Sequence, residues 1–109
     1  MHTLVVRKEI YEAHPWVAES LYKAFYQSKK LYQEVMDYNG ALASMLPWSV
    51  AEYEFTVSLM GEDFWPYGVE DNRITLETFI QYSYEQGLSS RKLSIEELFA
   101  PNTLGEYKW

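Results

Sequence analysis

The sequence predicts a mainly α chain of four or five helices with one short N-terminal strand, and three observations carry that reading. Apolar residues recur at spacings of three and four over residues 15–38, and again over 47–60 and 70–86. Pro15 and Pro47 stand where two of these runs begin, and Gly40, Gly61 and Gly87 stand where the runs end. Only residues 2–7 have the β-branched character of a strand.

In chain order, His2-Thr3-Leu4-Val5-Val6-Arg7 reads as that strand. A lone strand cannot satisfy its own backbone groups, and no second one follows. It needs a neighbour from a longer chain or from a second copy. Lys8-Glu9-Ile10-Tyr11-Glu12-Ala13 reads as one or two helical turns, stopped by His14-Pro15. Proline then opens a long helix at its first position, where the missing N–H costs nothing. The expected inner face of that helix is Val17, Leu21, Ala24, Phe25, Ser28, Leu31, Tyr32 and Val35, with Glu19, Lys23, Lys29, Lys30, Gln33 and Glu34 mostly on the solvent side. Asn39-Gly40 closes it with a residue that accepts a left-handed cap.

Residues 41–46 read as a short helical piece. Pro47 starts the next helix, with Trp48, Ala51, Phe55 and Leu59 on one face and Gly61 as its stop. Gly61-Glu62-Asp63-Phe64-Trp65-Pro66-Tyr67-Gly68 reads as a loop with three aromatic residues. Glu70 and Asp71 complement the positive end of a helix running to about residue 86, its inner face Leu76, Phe79, Ile80, Ser83 and Tyr84. Gly87-Leu88 fits a Schellman ending, and Ser94-Ile95-Glu96-Glu97 is a capping box opening a last short helix before Pro101. The expectation is a single helical domain over residues 1–103 with a tail at 104–109.

Composition narrows the function classes. The 109 residues are 48% hydrophobic, a soluble globular mix rather than a disordered one. The formal charge of −7 argues against nucleic acid, which requires a clustered cationic face. No apolar run approaches the ~18–20 residues of a membrane span. The N-terminus shows no export signal, and the absence of cysteine fits a cytoplasmic protein while removing disulfides and thiolate chemistry. Ten Tyr, five Phe and four Trp are more rings than an interior of this size hides, so exposed aromatic surface is expected. That surface and the lone strand lead us to expect a homo-oligomer or a missing N-terminal portion.

The catalytic patterns that spacing can show are sparse. The two histidines are twelve apart and no His-Glu-x-x-His pattern exists, so no metal site is expected. No phosphate loop or nucleophile elbow is present, and no cofactor is evident. The pairs Glu70-Asp71 and Glu96-Glu97 sit where helix starts want negative charge. His14 precedes Pro15 at a helix start and reads as capping or packing. His2, at a strand end, is the more open candidate. Arg73 suits an anionic ligand, although a surface salt bridge with a neighbouring acid is the commoner use of such a residue.

Several motifs together resemble the C-terminal portion of the 4,5-dihydroxyphthalate decarboxylase family. They are Met1-His2-Thr3-Leu4-Val5-Val6-Arg7, His14-Pro15-Trp16-Val17-Ala18, Ser20-Leu21-Tyr22-Lys23-Ala24-Phe25, Met45-Leu46-Pro47-Trp48, Leu59-Met60-Gly61-Glu62-Asp63-Phe64-Trp65-Pro66-Tyr67-Gly68, Tyr82-Ser83-Tyr84-Glu85-Gln86-Gly87-Leu88 and Glu96-Glu97-Leu98-Phe99-Ala100-Pro101. The resemblance implies a helical segment of a two-lobed α/β fold of the type II periplasmic-binding-protein kind. It further implies non-oxidative decarboxylation of an aromatic dicarboxylate in phthalate degradation, with this chain inactive alone. By residue type and position, His2 and then Tyr67 are the catalytic acid/base candidates. Arg73 and Trp65 are the candidates for holding the substrate, and whether a metal assists is open. The alternative is a solute-binding-like module that recognises an aromatic acid or a partner without catalysis.

Overall fold

In the computed structural model, which describes residues 2–38 and 43–105, the described residues form five α-helices and two 3-10 turns. They run α1 (Lys8–Ala13), α2 (Trp16–Asp37), α3 (Ser49–Met60), a 3-10 turn (Glu70–Asn72), α4 (Arg73–Glu85), α5 (Ile95–Leu98) and a second 3-10 turn (Pro101–Thr103). The chain divides into two compact units, Met1–Lys23 with Tyr67–Trp109, and Ala24–Pro66.

The expected N-terminal strand is not formed: no strand occurs among the described residues, and residues 2–7 have no regular structure. Leu4 and Val5 are exposed, and β-branched residues favour strands only when a neighbouring strand receives their hydrogen bonds. No such neighbour occurs among the described residues.

The first unit is organised around four buried side chains, Val69, Leu76, Ile80 and Ile95, against which Leu93, Phe99 and Leu104 pack. Leu76 and Ile80 are four residues apart on α4 and present one stripe, as the periodicity predicts. The stripe is narrower than expected, because Phe79 and Tyr84 lie outside it and are exposed. Successive helical residues point about 100° apart, so a core of four residues covers one row and leaves its neighbours in water. The packed C-terminal part extends to Leu104.

Local signals set the element ends in this unit. Leu88 N–H donates to the Ser83 carbonyl at 2.9 Å and Gly87 N–H to the Tyr84 carbonyl at 3.0 Å, with Gly87 at φ +72°, a complete Schellman ending. The Ser94 hydroxyl accepts from Glu97 N–H at 3.3 Å while the Glu97 carboxylate accepts from Ser94 N–H at 2.8 Å, closing both halves of the capping box. α5 ends at Leu98, short of Pro101. Pro15 precedes the first residue of α2 rather than occupying it. Asn102 ties distant parts of the unit together. Its amide donates to the Pro15 carbonyl at 2.9 Å and its side-chain oxygen accepts from the Tyr11 hydroxyl at 3.1 Å.

The second unit departs most from expectation. Phe25, Leu31, Tyr32 and Val35, read as the inner face of the long helix, are exposed. The half-buried positions are Tyr26, Lys29, Gln33 and Met36, a stripe with equally good helical spacing that mixes polar and apolar groups. α3 behaves alike. Val50, Tyr53, Thr56 and Val57 are half-buried, while Trp48, Ala51, Phe55 and Leu59 face water. α3 is apolar on several faces, so period alone does not select the one that is covered. It begins at Ser49, two residues after Pro47, and Trp48 before it takes a left-handed φ of 65°. Residues 43–46 are bends rather than the expected short helix. The rest of that piece, the Asn39-Gly40 stop and residues 106–109 of the expected tail lie outside the described residues.

Candidate functional site

Arg73 is the first residue of α4, and its guanidinium sits among three carboxylates of the first unit. Glu70, three residues earlier on the 3-10 turn, binds it through two bonds of 2.6 and 3.3 Å. Glu96 on α5 lies at 3.5 Å and Glu77, one turn on along α4, at 3.7 Å. The Glu70 hydrogen bond is the largest influence holding Arg73 well above the usual arginine range. Reciprocally, that bond holds Glu70 below the ordinary carboxylate range. Glu96 is also held low, first by a backbone hydrogen bond and then by Arg73. One cation thus faces three anions, and a ligand carboxylate reaching Arg73 competes with them for it.

The other candidates are spread. His2 is exposed in the extended N-terminal segment, and no hydrogen bond or ion pair joins it to Arg73. Tyr67 is half-buried just ahead of Gly68. Gly68 has φ +102°, and a Cβ there would lie 2.9 Å from the Tyr22 hydroxyl, so the backbone passes close to that ring. The Gly68 carbonyl accepts from the Asn72 side chain at 2.9 Å, which fixes the approach to the 3-10 turn carrying Glu70. His14 is exposed; its N–H closes α1 on the Ile10 carbonyl, and its ring lies 6.3 Å from that of Trp16.

Trp65 belongs to the second unit, on a loop whose backbone is pinned. Lys29 Nζ donates to the Asp63 carboxylate at 2.5 Å and to the Trp65 carbonyl at 2.9 Å. The Gln33 amide reaches the Glu62 carbonyl at 3.4 Å. Phe64 packs edge-on against Tyr53, their ring centroids 5.8 Å apart. The Tyr53 hydroxyl in turn donates to Asp37 at 2.6 Å, and that bond is the main reason its pKa is pushed up to about 12. Trp65 itself stays 59% exposed. Sequence reasoning missed Lys29, which it put on the solvated face of the long helix. The structure leaves only 8% of that side chain exposed. The visible signal was the acid-aromatic run Glu62-Asp63-Phe64-Trp65, whose carboxylates and carbonyls need donors.

A shallow apolar cavity of about 350 Å³ lies elsewhere in the second unit, lined by Met45, Leu46, Pro47, Trp48, Ser49, Val50, Ala51 and Glu54. Its one charged group is a carboxylate, so no cationic side chain in it meets an anionic ligand. Among the described residues no group of three or more His, Asp or Glu is placed to hold a metal ion, and no helix is long and apolar enough to cross a membrane.

Over 99% of its length the chain is 39% identical to a 4,5-dihydroxyphthalate decarboxylase of Comamonas testosteroni. It spans 33% of that protein's length. This likeness supports a C-terminal portion of that decarboxylase family. No family model matches the chain, and no solved structure matches it significantly.

Proposed function

We propose that this chain, as a C-terminal portion of the decarboxylase family, supplies part of the cleft of an aromatic carboxy-lyase and is inactive without the remainder. The identity of 39% across almost the whole chain is the observation that carries the reading. The exposed apolar side chains of each unit fit it, Trp16 and Phe79 in the first and Phe25, Phe55 and Leu59 in the second, because further protein surface would cover them. A type II periplasmic-binding-protein-like parent, assembled from two lobes, would supply that surface. A second copy of this chain is the alternative cover.

The chemistry proposed is loss of carbon dioxide from a dihydroxylated phthalate. Each ring carboxylate is para to a hydroxyl. Deprotonating that hydroxyl pushes an electron pair toward the ring carbon bearing the carboxylate. A proton delivered to this carbon then lets carbon dioxide leave without a free aryl anion. Such a step needs an acid/base group working near neutrality and a cation for the dicarboxylate. His2 is the acid/base group this chain offers, with Tyr67 as the alternative, and Trp65 offers its ring face to the substrate. Arg73 serves as the clamp in competition with its three carboxylate partners. The second reading, binding of an aromatic acid without catalysis, rests on the exposed Trp65 ring.

Incubating the chain alone with 4,5-dihydroxyphthalate, while ring absorbance and released carbon dioxide are followed, tests the incompleteness. No turnover is the expected result. Product formation abolished by His2→Ala would place the whole acid/base machinery within these residues and overturn the incomplete cleft.

A further inference from the structure

We infer that Lys29 is a positioning residue that fixes the 61–66 loop and thereby sets where the Trp65 indole is presented. Three observations meet at its ammonium. The side chain is nearly buried although α2 would allow it to reach solvent. Two of its three N–H donors go to the loop, one to the Asp63 side chain and one to the Trp65 backbone carbonyl. The Tyr26 ring, one turn earlier on the same helix, lies 5.6 Å away and adds a cation–π contact. One cation therefore grips a side chain and a carbonyl on opposite sides of Phe64, while that residue's own ring is held by Tyr53.

The consequence is a rigid backbone carrying an exposed aromatic side chain. A Trp on a mobile loop loses conformational freedom when it stacks on a ligand. One whose carbonyl is already fixed loses less, and the difference appears as affinity. The ligand class is an aromatic carboxylate, and that part rests on the function proposed above. The positioning of Trp65 by Lys29 does not depend on it.

The test uses the full chain with Trp16, Trp48 and Trp109 replaced by Phe, so that Trp65 is the single indole. Lys29→Met keeps the length and removes the donors, Lys29→Arg keeps the charge in a different shape, and Asp63→Asn weakens the grip from the loop side. Emission anisotropy, acrylamide quenching and titration with phthalate are read on each. Lys29→Met and Asp63→Asn are expected to raise quenching about twofold and lower anisotropy, with far-ultraviolet circular dichroism unchanged. Phthalate binding should weaken by up to about tenfold, the scale of one immobilised side chain, and Lys29→Arg should recover part of both losses. Unchanged quenching and anisotropy in Lys29→Met and in Asp63→Asn overturn the positioning role. A parent that does not respond to phthalate, while Lys29→Met still frees Trp65, overturns the aromatic-acid reading of the loop and supports the positioning role.

Discussion

Gly68→Ala is expected to destabilise the first unit by about 2–3 kcal/mol, from two separable terms. The residue has φ +102°, and placing an L residue in such backbone costs roughly 1–2 kcal/mol. The new methyl also meets the Tyr22 hydroxyl at 2.9 Å, and moving that phenol off its preferred position costs about 1 kcal/mol more. Urea unfolding followed by circular dichroism reads the sum. With a slope of roughly 1–3 kcal/mol/M for a small protein, the midpoint should fall by about 0.7–3 M. Gly87→Ala is the internal control, since Gly87 has φ +72° and nothing within 4 Å of the added carbon, so it should show the backbone cost alone, about 1 kcal/mol. Tyr22→Phe removes the clashing oxygen, and in that background Gly68→Ala should cost about 1 kcal/mol less than in the parent. Equal costs at positions 68 and 87, together with no coupling to Tyr22, would refute the close approach.

Ser94→Ala should cost about 1 kcal/mol in chemical denaturation, because a four-residue helix holding the buried Ile95 depends on its cap. Tyr53, whose pKa is raised to about 12 by Asp37, contributes stability that is whole below pH 10 and is lost as the pH rises through 12. Tyr53→Phe should remove a late step of an alkaline titration at 295 nm, and Asp37→Asn should bring that step earlier. Glu97, held down at about 2 chiefly by its hydrogen bond from Arg91, contributes stability present above pH 4.5 and lost as the pH falls through 2. Glu97→Gln should flatten that part of the acid-unfolding profile. A profile that matches the parent would remove the Arg91–Glu97 pair from the account.

The helix ends were legible wherever one residue type answers one backbone demand. Gly87 and the Ser94–Glu97 box formed as read, because left-handed φ and orphan N–H groups leave few alternatives. Leu76 and Ile80 were legible because apolar neighbours cover them. On α2, Val17 and Leu21 are half-buried as read, but the covered face of its later part was not legible, since what lies over it is a loop of carbonyls and carboxylates that needs the donors of Lys29 and Gln33 rather than a hydrocarbon stripe. An apolar-period count selects Phe25, Leu31, Tyr32 and Val35, and the structure leaves all four exposed. The Asn102 ties were invisible for another reason, as their partners stand 87 and 91 residues away. At the candidate site, the residue type of Arg73 pointed to an anion. The spacing of Glu70 and Glu77, three before and four after it, already placed that anion within the chain.

The most direct measurement replaces the matching third of the Comamonas testosteroni 4,5-dihydroxyphthalate decarboxylase with this chain and follows carbon dioxide release from 4,5-dihydroxyphthalate. A folded chimera that releases carbon dioxide, and loses that activity with His2→Ala, is the expected result. A folded chimera that binds the substrate without turning it over would contradict a catalytic role and leave an aromatic-acid binding module.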